Sequence, residues 1–72
     1  MIFISEADLE KLRKEYPFGC WVELTSMDDP QAPPVGTVGM VRGVDDAGSI
    51  MVAWATGSSL SVVYGVDRCR KI

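Results

Sequence analysis

The spacing of apolar residues changes at Gly19, and this change constrains the fold more than any other feature of the sequence. After Gly19, apolar residues alternate with other residues, as in Ile50, Val52 and Trp54. Successive side chains of a strand point to opposite faces, so a period of two predicts strands with one apolar face. The sequence therefore predicts a sheet that encloses an apolar interior.

The segment before Gly19 has helical spacing instead. The pattern predicts the chain's only helix over residues 5–15, with Ser5 as a favourable N-cap. Pro17 ends the run, because the residue before a proline avoids the helical region. Leu9 and Leu12 form a thin apolar stripe, and such a short helix is marginal alone. We therefore expect it to dock on the sheet through these two leucines.

The alternating pattern divides into five short strands. They are predicted at residues 20–25, 36–44, 49–54, 59–63 and 68–72. Gly39 and Gly43 permit bulges in the second of them. A long loop follows the first strand, and one tight helical turn at 64–67 precedes the last. This order is typical of an SH3-like barrel, which closes a small sheet around one apolar side. We predict a mostly β single domain, with residues 1–18 as N-terminal helix and lead-in and 19–72 as a five-stranded SH3-like barrel.

Charge and hydropathy exclude several classes of partner. The formal charge of −3 and the pI near 4.6 disfavour a nucleic-acid binder, because phosphate contacts require a clustered basic surface. No apolar run approaches the ~20 residues that cross a bilayer. The apolar start at residues 1–4 has neither a basic region nor a cleavage site, so we expect no signal peptide and a cytoplasmic location.

The sequence offers no catalytic constellation. It has no histidine that would serve as a base for Ser58 or Ser59. The aspartate pairs at 28–29 and 45–46 lack a third carboxylate at calcium-loop spacing. We therefore predict a protein that is not an enzyme and that needs no cofactor or metal.

Cys20 and Cys69 are the only cysteines. Without histidine they cannot complete a four-ligand zinc site. Two free, partly buried thiols in a reduced compartment are the favoured interpretation. A disulfide is the alternative, because the first and last strands of an SH3-like barrel are neighbours.

Three motifs carry a resemblance to a known family. They are MDDPQAPPVG at 27–36, GVDDAGSIMVAWATGSSL at 43–60 and YGVDRCRKI at 64–72. In this order they resemble domain-of-unknown-function family 4314, small proteins of bacteria, phages and conjugative elements. The resemblance implies an SH3-like fold and a mobile-element setting, and it implies no biochemical activity. The chain departs from the family pattern at 55–57, where Ala-Thr-Gly replaces Asp-Asn-Gly, and at Val38 and Met40, which are usually polar.

A binding cleft is expected between the long first loop and the turn before the last strand. Trp21 should project away from the apolar interior, and Tyr64 should lie at the mouth of the cleft. The expected lining is Trp21, Asp28, Asp29, Gln31, Tyr64, Asp67 and Arg68. Aromatic and acidic side chains together suit proline-rich or basic peptides.

A second apolar face is expected on the opposite side of the central hairpin. It consists of Val38, Met40, Met51 and Ala53. An apolar outer face needs a cover. The N-terminal helix is the favoured cover, and a second copy of the chain is the alternative.

Two functions of different classes follow. The first is a non-enzymatic interaction module of a phage or mobile element, with a protein or peptide as partner. The alternative is an anti-defence protein, either an inhibitor of a host defence protein or a homo-oligomeric sponge for a nucleotide signal, with Arg42, Arg68 and Arg70 on the phosphates. An RNA-associated barrel ranks last because the chain is acidic.

Overall fold

The computed structural model describes residues 4–72, so residues 1–3 of the apolar start lie outside it. Its elements are α1 (Glu6–Glu15), β1 (Trp21–Ser26), β2 (Val38–Val44), β3 (Ser49–Trp54), β4 (Val62–Val63) and β5 (Arg68–Lys71). The prediction of a mostly β chain with five strands and one short N-terminal helix is confirmed.

Helix α1 begins where its cap residue predicts. The hydroxyl of Ser5 accepts a hydrogen bond from the backbone N–H of Asp8 at 3.1 Å. The helix has acidic residues in its first turn and basic residues in its last turn, which complements its dipole. None of its residues is fully buried, so contacts with the sheet must hold it in place. In residues 4–72, no helix has the length and apolar character needed to cross a bilayer.

All five strands form one antiparallel sheet in the order β4-β3-β2-β1-β5. The first and last strands of the chain are neighbours, as predicted, with Leu24 opposite Cys69. The two strands at the ends of this order, β4 and β5, also approach each other, although no ladder joins them within the described residues. The sheet therefore curls around its core. Membership of the SH3-like barrel class stays a prediction.

The interior of the curled sheet is hydrocarbon, and it is made of the residues that the alternation placed inward. The buried cluster comprises Val22, Leu24, Val41, Ile50, Val52, Trp54 and Val62. The one polar atom of Trp54 is satisfied, because its indole N–H donates to the carbonyl of Leu60 at 2.8 Å. Each such side chain contributes ~1.5–3 kcal/mol through burial.

Gly39 lies opposite Trp54 in the β2–β3 ladder. A Cβ atom at this position would lie 2.7 Å from Cε3 of Trp54 and 2.5 Å from Cγ1 of Val52. Contacts of that length do not occur in proteins, so glycine is required by packing. The bulge itself lies further along β2, where the register with β3 shifts between Val41 and Gly43.

The predicted fourth strand at 59–63 is wrong in length, because only Val62–Val63 is strand. The preceding residues hydrogen-bond locally: Trp54 N–H donates to Ser58 O at 3.0 Å, and the Leu60 carbonyl accepts from the Trp54 indole. Leu60 is consequently half-buried, whereas the pattern placed it inside. The predicted helical turn at 64–67 is a hydrogen-bonded turn in which the N–H groups of Val66 and Asp67 both donate to the carbonyl of Val63.

The two cysteines are both free and half-buried, which confirms the favoured interpretation of the thiols themselves. Cys69 lies opposite Leu24, four residues along β1 from Cys20. At ~3.3 Å per residue this separation is about 13 Å. A disulfide needs Cα atoms within about 7 Å, so the sheet register itself keeps the thiols unpaired.

Candidate functional site

Two depressions lie on either side of the turn between β4 and β5. The acidic depression has a volume of about 320 Å³ and is lined by Met27, Asp28, Asp29, Leu60, Ser61, Val63, Val66 and Asp67. The helix cavity has a volume of about 270 Å³ and is lined by Leu12, Tyr16, Thr25, Gly48, Ile50, Val62, Tyr64, Gly65, Asp67, Arg68 and Cys69.

The acidic depression combines an apolar floor with three carboxylates. Val63 and Val66 are 39% and 60% exposed. The carboxylate of Asp67 accepts a hydrogen bond from Val63 N–H at 3.0 Å, and that of Asp29 accepts one from Gln31 N–H at 2.8 Å. These bonds fix the turn and the loop. None of the three carboxylates belongs to a salt bridge among residues 4–72.

The structure brings together part of the predicted cleft. Asp28, Asp29 and Asp67 share the acidic depression. Tyr64 and Arg68 line the helix cavity with Asp67.

The other two predicted cleft residues lie elsewhere. Gln31 lines neither depression, and what it supplies is the backbone N–H that holds Asp29. Trp21 is 53% exposed and lies opposite Met40 in the ladder, so it belongs to the outer face of the hairpin.

Helix α1 supplies one wall of the helix cavity. Leu12 and Tyr16 pack against the buried cluster at the opening of the curled sheet. Arg13 ties the helix to the β2–β3 hairpin, with its Nη2 atom 2.7 Å from a carboxylate oxygen of Asp46 and 3.4 Å from the Val44 carbonyl. The cavity therefore exists only while the helix is docked.

Two groups on the wall of the helix cavity, the Cys69 thiol and the Tyr16 phenol, have pKa values raised by burial. Burial raises the pKa of the Cys69 thiol to about 11, and the electrostatic influence of Cys20 adds to the shift. Burial likewise raises the pKa of Tyr16, with smaller contributions from Cys69, Glu15 and Cys20. At neutral pH the thiol and the phenol are protonated. Charge is thus confined to the rim, where Asp67 and Arg68 lie.

The predicted second apolar face is present on the outside of the hairpin. Trp21, Met40 and Ala53 lie opposite one another on three adjacent strands, and Met51 is 38% exposed. Ile72 lies beside Trp21 and is 63% exposed, which extends the row to β5. We call Trp21, Val38, Met40, Met51, Ala53 and Ile72 the outer face. Leu12 of the helix packs on the buried cluster instead, on the other side of the sheet.

The three arginines suggested for phosphate binding do not share one site. Arg70 is bound to Glu23, with 2.6 Å between Nε and Oε1. Arg68 lies at the rim of the helix cavity, and Arg42 lies in an open groove beside Met51. In the part of the chain that the structure describes, no three side chains of the metal-ligating types His, Cys, Asp and Glu are grouped closely enough to hold a metal ion.

Sequence reasoning missed the helix cavity. The sequence pattern assigns no site role to Tyr16, which precedes Pro17, and treats Cys69 only as a thiol, although both line this cavity. Tyrosine and cysteine side chains both combine an apolar body with a polar atom. This chemistry, at the junction of helix and sheet, was the signal in the sequence.

Fold and site together define a small, mostly β domain with two adjoining depressions. The chain belongs to the family described as a domain of unknown function (DUF4314), which matches residues 5–72. The family resemblance carried by the three motifs is thereby confirmed. No curated protein and no solved structure matches the chain.

Proposed function

We propose that this chain is a non-enzymatic binding module that recognises a basic segment of a partner protein. The observation that carries the proposal is the acidic depression, where Asp28, Asp29 and Asp67 surround an exposed floor of Val63 and Val66 without an internal cation. A lysine or arginine fits such a surface with both parts of its side chain. Its aliphatic stem covers the valines, and its charged head meets the carboxylates.

The expected affinity is modest and depends on salt. Each exposed ion pair contributes ~0.2–1 kcal/mol, and charges at the surface are screened beyond ~8 Å at physiological ionic strength. Complementary charge chiefly accelerates association and selects the partner. A phage or conjugative-element setting, which the family resemblance implies, would make the partner a protein of the bacterial host.

Selection from a random peptide library tests the proposal. The wild-type chain should enrich peptides with lysine or arginine, and the enrichment should weaken as salt is raised. The double variant Asp28→Asn/Asp29→Asn should lose the enrichment. Asparagine keeps a side-chain oxygen for the Gln31 N–H, so the loop retains its hydrogen bond.

The matched control is Glu6→Gln/Glu10→Gln, which makes the same change in net charge on exposed positions of α1. It should select the same basic peptides as the wild type. Equal selection by both double variants would show that overall charge acts, and that the acidic depression is not the site.

The outer face supports a second candidate, a homo-oligomer. Its row of apolar residues from Ala53 to Ile72, in which Trp21 and Ile72 are exposed and Met40 and Ala53 are half-buried, is not covered by the helix. Because one copy keeps Arg42 apart from Arg68, a nucleotide sponge would need arginines from more than one copy. Light scattering at high concentration tests the assembly, and Trp21→Ala should shift it toward monomer. A thermal shift with nucleotides tests the ligand, since ~100 times the dissociation constant adds ~2.7 kcal/mol.

A further inference from the structure

The acidic depression and the helix cavity adjoin each other. Asp67 lines both. The two residues of β4 divide between them, with Val62 in the helix cavity and Val63 in the acidic depression. This division follows from the alternation of side chains along a strand. A ligand held at Asp67 therefore has an acidic surface on one side and an apolar cavity on the other.

The helix cavity is large enough for one apolar side chain and too small for a drug-sized molecule. Its volume of about 270 Å³ is below the ~300–1,000 Å³ of pockets that hold drug-sized molecules. Leu12, Ile50 and Val62 give it apolar walls. An apolar side chain that enters it leaves water for a hydrocarbon environment, and Asp67 and Arg68 at the rim remain available to the backbone or to polar neighbours of that side chain.

We infer that the ligand is bipartite, with one large apolar residue inserted into the helix cavity and a lysine or arginine close to it in sequence over the acidic depression. This inference rests on the proposed function. Because Asp67 borders both depressions, the two ligand residues lie within about three positions of each other, at ~3.3 Å per extended residue. Burial of a large apolar side chain should improve affinity about 10- to 100-fold over a peptide with alanine at that position.

The peptide selection described above separates the two claims. Wild-type chain should enrich basic residues together with a neighbouring leucine, methionine or phenylalanine. Cys69→Leu places a larger side chain in the helix cavity and narrows it, so this variant should retain the basic preference and weaken the apolar one. A basic preference without an apolar neighbour in the wild type would overturn this inference and leave the proposed function standing. The absence of a basic preference would overturn both.

A second measurement needs no change to the cavity wall. In the Cys20→Ser variant, Cys69 is the remaining thiol, and its rate of alkylation reports directly on the occupancy of the helix cavity. A saturating enriched peptide should slow alkylation about tenfold, whereas the same peptide with alanine in place of its apolar residue, also at saturation, should leave the rate unchanged. Equal rates with both peptides would show that the apolar residue does not enter the cavity, and would overturn the inference.

Discussion

The β2–β3 hairpin and the β4–β5 end of the sheet are built differently, although they share one core. The hairpin has strands of seven and six residues, and its turn is fixed by the Asp45 carboxylate, which accepts hydrogen bonds from Ala47 N–H and Ser49 N–H. At the other end β4 has only two residues, and the surface is open in two depressions. The hairpin therefore supplies stability, and the end with sparse backbone pairing carries the surface that we propose binds a ligand. We call this β4–β5 end the binding end.

Gly39→Ala should have the largest effect of any single substitution considered, because the added methyl group meets Val52, Trp54 and the Ala53 carbonyl within 3.0 Å. Overpacking of this kind costs ~3 kcal/mol, a large fraction of the stability of a 72-residue domain. Urea unfolding measures it. Gly57→Ala is the control, since a Cβ there meets nothing within 4 Å and only its positive φ of 91° is strained. That strain costs ~1 kcal/mol. Equal losses would mean that the hairpin is not tightly packed.

The two tryptophans give the next largest contrast, between the inside and the outside of the same sheet. Trp54→Phe removes the hydrogen bond to the Leu60 carbonyl and leaves a void in the buried cluster, so it should cost ~2 kcal/mol. Trp21→Phe, on the half-exposed outer face, should change stability by less than ~0.5 kcal/mol. A large loss at Trp21 would indicate that the outer face is covered, as in an oligomer.

Residues whose environment is decided by local pattern were predictable. The period of two identified Val22, Val52 and Trp54 as interior residues, and Ser5 identified the start of the helix. Asp28, Asp29 and Asp67 were expected together because the long loop and the last turn meet in the layout that the strand order indicated.

Features that depend on how separate segments pair and pack were not predictable. The register that puts Trp21 beside Met40 separates it from the acidic residues, and no local signal specifies that register. The helix docks through Leu12 and Tyr16 at the opening of the sheet. Helical spacing alone predicted docking through Leu9 and Leu12. The hydrogen bond from the Trp54 indole to the Leu60 carbonyl, which accompanies the shortened β4, joins residues only six apart, but the period of two gives no sign of it.

Ser5→Ala should have a smaller effect, and the effect should be confined to the binding end. Loss of the N-cap hydrogen bond to Asp8 N–H costs ~1 kcal/mol and frays a helix that has no fully buried residue. Because α1 forms a wall of the helix cavity, alkylation of Cys69 should become faster while the unfolding of the hairpin changes little. Hydrogen exchange of the β2–β3 amides is the check. Faster exchange throughout the hairpin would show that the two ends unfold as one unit, and would remove the contrast between them.

A dependence of stability on alkaline pH, absent at neutral pH, should also originate at the binding end. The Cys69 thiol has an ordinary pKa of 9.0 and a native pKa of about 11, because burial disfavours its thiolate. Between these values the unfolded chain releases a proton that the native chain retains. Stability should therefore be constant below about pH 9 and should fall as the pH rises toward 11. The raised pKa of Tyr16 acts in the same direction at higher pH.

Cys69→Ser should flatten the decline, whereas Cys20→Ser, which keeps the Cys69 thiol, should preserve most of it. Urea unfolding across this range makes the comparison, and an identical decline in both variants would assign the alkaline sensitivity to groups outside the helix cavity.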